Sequence, residues 1–132
     1  MDRKKLFKRL SLLVVSIFLA NFLAMQFHWY SSMWYFDILM HFLGGLWVGL
    51  FVFWLLKIKD ISFSSVSKIL FGVLIIGALW EIFEIVVNNL IAKNTFNVTD
   101  TVTDLIMDMI GGVVSIFYFS KDIFSEKADM LQ

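Results

Sequence analysis

The amino-acid sequence predicts an all-α protein, a four-helix transmembrane bundle with both termini cytoplasmic, and three observations predict it. The chain is 60% hydrophobic over 132 residues, with a mean hydropathy of +0.83, which is too apolar for a soluble domain of this size. It contains no proline, and its apolar residues fall into four runs that approach or exceed the roughly 20 residues a helix needs to cross the hydrocarbon. Ten of its eleven Lys and Arg residues cluster at the two ends and at one central joint. By the preference of basic residues for cytoplasmic loops, that distribution sets the direction of every crossing.

The first span is predicted from Leu10 to Gln26, after a basic start at Arg3, Lys4, Lys5, Lys8 and Arg9. This opening also has the basic start and apolar core of a secretory signal peptide. Ala20 and Ala24 make a poor cleavage site, however, and an even number of spans with cytoplasmic ends requires the segment to stay. An outer aromatic belt follows at Trp29, Tyr30, Trp34 and Tyr35, with His28 as an interfacial polar residue.

The second span is predicted from Trp34 to Leu56, and Lys57, Lys59 and Lys68 mark the cytoplasmic joint after it. The third runs from Lys68 to Ile91 and the fourth from Val102 to Ser120, before Lys121 and Lys127. Thr99 or Asp100 is expected to cap the fourth helix. Ala20-x-x-x-Ala24 and Gly45-x-x-x-Gly49 have the small-residue spacing that lets helices approach closely. The joints are short, as in an up-and-down bundle, so residues 1–132 read as one integral membrane domain.

Composition also limits the chemistry. Without cysteine there is neither a disulfide framework nor a thiolate ligand or nucleophile. The formal net charge is zero and no basic block suits nucleic acid. The Asn97-Val-Thr sequon is of a kind that arises by chance.

What remains is a set of ionisable residues inside the spans: Asp37 and His41 on the second, Glu81 and Glu84 on the third, and Asp104 and Asp108 on the fourth. Within each pair the spacing is three or four, which stacks both side chains on one helical face. The faces continue as Gly44 and Gly45, as Asn88, and as Gly111, Gly112 and Ser115, with Asp100 just ahead of the fourth helix and Asn21 of the first able to face the same interior. Counted from the outer helix ends at about 1.5 Å per residue, His41, Glu84 and Asp108 share a depth of roughly 10 Å.

No Lys or Arg inside a span balances the five carboxylates, and unpaired anions are not stable at that depth. Three arrangements resolve this: several acids hold protons for a function, a proton-sharing network merely specifies helix packing, or divalent cations supply the missing charge. A carboxylate-rich set with one imidazole, here Asp37, His41, Glu81, Glu84, Asp104 and Asp108, suits manganese, iron, zinc or magnesium.

The order "DILMHFLGG", "WEIFE" and "DTVTDLIMDMIGG", over roughly Phe36 to Gly112, resembles the small bacterial integral membrane proteins grouped as YjdF-like and distantly similar to VanZ-like proteins. The resemblance implies a bacterial inner-membrane, multi-pass protein of four to six helices with polar positions at those same six residues. The VanZ-like group is associated with glycopeptide resistance by an unestablished route, which implies a cell-envelope setting.

Three functions compete. The first is a metal-dependent hydrolase or transferase acting on a lipid-linked phosphate, with Glu84 and Asp108 as the candidates for acid–base work. The second is a proton or metal-cation transporter, set against an inner half without ionisable residues. The third is a membrane assembly factor with a structural polar core. Membrane lipids are the implied partners, a lipid-linked substrate is the implied target, and oligomerisation stays open.

Reporter fusions after Tyr30 and after Asn94 should read as external, and fusions at the termini and between Lys57 and Lys68 as cytoplasmic. A cytoplasmic signal at either of the first two sites defeats the predicted orientation.

Overall fold

The computed structural model describes residues 3–87, 89–90 and 96–129, with side chains as far as residue 121. Its helices are α1 (Arg3–Gln26), a single-turn α2 (Trp29–Ser32), α3 (Phe36–Leu56), α4 (Phe63–Val87) and α5 (Val98–Asp129). The described residues form no strand, and α1, α3, α4 and the part of α5 up to Lys121 are each long and apolar enough to cross a membrane. The all-α, four-span expectation is therefore met.

Several helix ends differ from the hydropathy reading: α1 already begins at Arg3, and the starts of α4 and α5 are set by side-chain caps. α4 starts five residues before Lys68 because Ser62 caps it: its Oγ accepts the Ser65 N–H at 3.2 Å and its carbonyl accepts the Val66 N–H at 3.0 Å. Lys68 then lies exposed in the second turn. The α5 cap is neither Thr99 nor Asp100 but Asn97, whose Oδ1 accepts the Thr99 N–H at 3.1 Å. Asp100 is exposed in the first turn, where a negative charge suits the helix dipole. α5 also runs past Ser120, to Asp129. α3 stops at Leu56 as expected, because Lys57 turns left-handed (φ 53°) and Ile58 N–H closes onto the Phe53 carbonyl at 3.3 Å.

The aromatic segment folds into α2, which the hydropathy pattern did not anticipate. His28, also left-handed, offers its carbonyl to the hydroxyls of Ser31 and Ser32. The Trp29 and Tyr30 rings both meet Phe36 edge-on, at 5.5 and 5.0 Å. Trp34 and Tyr35 remain exposed beside them.

α3 is the centre of the bundle and touches all three other long helices, most extensively α5. Small residues permit that closeness. A Cβ on Gly45 would overlap the backbone of Asp108, one on Gly111 would overlap the Phe42 carbonyl, and Gly49 lies against Ser115. Ser115 is fully buried and donates to the Gly112 carbonyl at 2.6 Å. Gly45-x-x-x-Gly49 is thus a packing face in this fold. Toward the Lys57 end, Phe53, Ile69 and Phe119 from α3, α4 and α5 close a core in which the two phenyl rings stack at 3.9 Å.

α1 leans on α3 through Leu6, Leu10 and Leu50, and the Trp47 indole donates to the Leu10 carbonyl at 3.0 Å. Among the long helices its backbone approaches α3 alone, and it stands off α4. The remaining outward surface is apolar, including Leu12, Phe18, Phe71, Ile82 and Phe117, as lipid-facing helices require.

Gly45→Ala should lower stability by about 1–3 kcal/mol because the added methyl has no space. Gly44→Ala, whose Cβ would meet nothing nearer than Asp108 Oδ1 at 3.9 Å, should be neutral or stabilising. Thermal unfolding of both variants in one detergent checks the contrast.

Candidate functional site

Three helices bring their ionisable residues to one place. α3 carries Asp37 in its first turn and His41 one turn further on; α4 carries Glu81 and Glu84 near its end; α5 carries Asp104 and Asp108 on successive turns. Measured along the helices from the α2 end of the bundle, His41 lies about 8 Å in, and Glu81 and Asp104 about 9 Å in. The level shared with His41 is therefore that of Glu81 and Asp104, not that of Glu84 and Asp108. Glu84 sits nearer the α2 end and Asp108 about one turn deeper, because Gly45 of α3 and Gly77 of α4, each four residues from His41 and Glu81, are the residues that meet Asp108.

His41 is the hub, buried together with Glu81, Asp104 and Asp108. Its Nε2 faces Glu81 Oε1 at 3.8 Å and Asp37 Oδ1 and Asp104 Oδ2 at 3.9 Å each. Its Nδ1 faces Asp108 Oδ2 at 3.5 Å. The three Nε2 separations are too long for hydrogen bonds. Glu81 is only 4% exposed, yet its Oε1 has no hydrogen-bond partner, an arrangement that native interiors rarely tolerate.

Donor atoms of Asp37, His41 and Asp104, and likewise of His41, Glu81 and Glu84, lie within 4.8 Å of one another. A first-row divalent ion at about 2.0–2.2 Å from each ligand holds its donors roughly 3–4 Å apart, so a slight contraction of either triad would surround one. Both triads use His41, so they draw on one imidazole and four carboxylates for a shared site.

A cavity of about 370 Å³ adjoins this cluster between α1, α3 and α4. Asp37, His41, Glu84 and Asp108 reach its wall, whereas Glu81 and Asp104 do not. Glu84 Oε1 accepts a hydrogen bond from the Trp80 indole at 3.0 Å. Asn21 also lines the cavity, accepting the Tyr30 hydroxyl proton at 2.7 Å, and so ties α1 to α2. Burial above all, with the Asp37 and Glu84 carboxylates adding to it, pushes the Tyr30 phenol up to about 12, so this ring faces the cavity as a neutral donor.

All six residues singled out from sequence meet around His41, directly or through a shared triad. Asp100 is exposed at the start of α5, and Asn88 lies outside the described residues. Sequence reasoning missed Tyr30 and Trp80. The sequence reads Tyr30 as part of the interfacial belt, and only the fold of α2 brings this still partly exposed ring to the cavity; Trp80 precedes Glu84 by four, a helical spacing that signals the contact.

No curated protein and no solved structure matches the chain. Residues 2–122 match the model of one protein family, and by that match, which takes in every residue of the cluster, the chain belongs to the family described as "Predicted membrane protein (DUF2238)".

Proposed function

We propose that this membrane protein holds a divalent cation between α3, α4 and α5 and uses it in hydrolysis or group transfer on a lipid-linked phosphate. The observation that carries the reading is the orphaned Glu81 Oε1, facing His41 Nε2 at 3.8 Å with Asp37 and Asp104 grouped around the same nitrogen. A network built only to share protons would close such distances into hydrogen bonds. An ion would instead keep the donors apart while offsetting their charge.

Each residue has a distinct part in this proposal. His41 ligates through Nε2, with carboxylates drawn from Asp37, Asp104 and Glu81. Asp108 accepts the Nδ1 proton and so holds the imidazole in the ligating tautomer, the usual arrangement of a carboxylate behind a metal-bound histidine. A divalent cation supplies Lewis acidity toward a phosphoryl oxygen and acidifies water at neutral pH. Glu84, on the cavity wall and oriented by Trp80, takes the proton of the attacking water or alcohol as its oxygen bonds phosphorus, and returns that proton to the leaving oxygen as the bond from phosphorus to it breaks. A bacterial cytoplasmic-membrane setting, which the sequence resemblance to YjdF-like proteins implies, would make an envelope precursor the phosphate carrier.

Protein purified without chelator should carry one divalent ion per chain by elemental analysis. His41→Ala should reduce metal to background, and Asp108→Asn should weaken affinity about 10–100-fold without abolishing it. Asp60→Asn, at an exposed position, is the control. Absence of metal under replete conditions overturns the reading in favour of a protonated network. Metal-loaded protein should turn over long-chain phosphomonoesters, and Glu84→Gln should stop turnover while leaving the fold intact. If the same variant instead abolishes ion flux across sealed vesicles, transport replaces catalysis.

A further inference from the structure

We propose that the cavity between α1 and α4 is the binding site for one apolar chain of an amphiphile whose phosphate head lies at the His41 cluster. The head's placement rests on the cation reading above; the chain's does not. The first observation is Gly44. Gly45, Gly49 and Gly111 each lie where a Cβ would collide with a neighbouring helix, so packing accounts for them. Gly44 has open space, meets only Asp108 Oδ1 at 3.9 Å, and lines the cavity beside His41. A helix-interior glycine is unfavourable relative to alanine, so one that packing does not require is explained by the room it leaves.

The second observation is the cavity's polarity along its length. Asp37, His41 and Glu84 lie toward its α2 end and Asp108 one turn deeper, whereas Val14, Ile17, Val48, Val73 and Ile76 supply apolar wall from α1, α3 and α4 farther along. That gradient matches an amphiphile entering chain first. A volume of about 370 Å³ is near the lower end of the roughly 300–1,000 Å³ found for small-molecule sites, which suits one chain and not two. The third observation is the access route. α1 stands off α4, so the opening between them faces surrounding lipid, the medium in which such a ligand is dissolved.

The test uses full-length protein in phosphatidylcholine vesicles and a hexadecyl phosphate carrying a photoreactive diazirine on its chain. Labelling should be saturable, should map to cavity residues of α1 and α4, and should be displaced by hexadecyl phosphate but not by methyl phosphate. Gly44→Leu should fill the cavity and weaken labelling about tenfold while retaining bound metal. Ile17→Trp, which fills it from α1, provides the same readout should Gly44→Leu fail to fold. Labelling that does not saturate, or that survives both substitutions, overturns the chain site and identifies ordinary annular lipid. Displacement by hexadecanol as effective as by hexadecyl phosphate overturns the phosphate head. Saturable labelling lost in Gly44→Leu, in protein that binds no metal, supports the chain site and refutes the cation reading alone.

Discussion

The near-contact of the α3 and α5 backbones at Gly45 and Asp108 is the constraint on which the rest depends. With no side chain at Gly45, Gly111 or Gly49, the two helices approach until main-chain atoms meet, and dispersion replaces the hydrophobic force that lipid cannot supply. The approach sets the register. It places His41 between Asp104 and Asp108, one on each ring nitrogen, and leaves the buried imidazole open only where it reaches the cavity wall. α4 completes the enclosure, with Val73 against Gly112 and Glu81 turned toward Nε2.

Such a cluster opposes folding unless something offsets it. Among the described residues, His41 is the basic group that these carboxylates meet, and even a protonated imidazole would not balance five carboxylates at membrane depth. The sequence tolerates this imbalance on three helices at once. Separations of 3.8–3.9 Å at Nε2 are too long for hydrogen bonds, and they leave a group of donors that could hold an ion. Asp108 stands apart from that group. Its position behind the ring converts a flexible imidazole into an oriented one, and its other face reaches the cavity.

α1 plays a different part from the other long helices. It contributes no ionisable group to the cluster and is held mainly along α3, by Leu6, Leu10 and the Trp47 indole, with Arg9 reaching Tyr118 on α5. Because it does not close onto α4, it leaves a cavity in which apolar wall and charged wall meet. A three-helix core that builds the site and a fourth helix that borders its access is a division of labour that mean hydropathy cannot express, since α1 falls within the range of the other three.

The sequence by itself determined the fold class and the membership of the cluster. Crossing a bilayer demands long apolar helices with internally satisfied backbones, and three- or four-residue spacing places Asp37 with His41, Glu81 with Glu84, and Asp104 with Asp108 on single faces wherever the helix begins. Helix starts were less legible, because Ser62 and Asn97 act through single side-chain hydrogen bonds that leave almost no trace in hydropathy. Only the tertiary structure decided which residues share a level, which carboxylate faces which ring nitrogen, and that Gly44 leaves room where Gly45 permits contact. Each of these depends on the axial offset and rotation of one helix against another. A shift of one turn moves a side chain about 5.4 Å, more than the whole spread of donor distances around His41, and no pattern within a single helix encodes that offset.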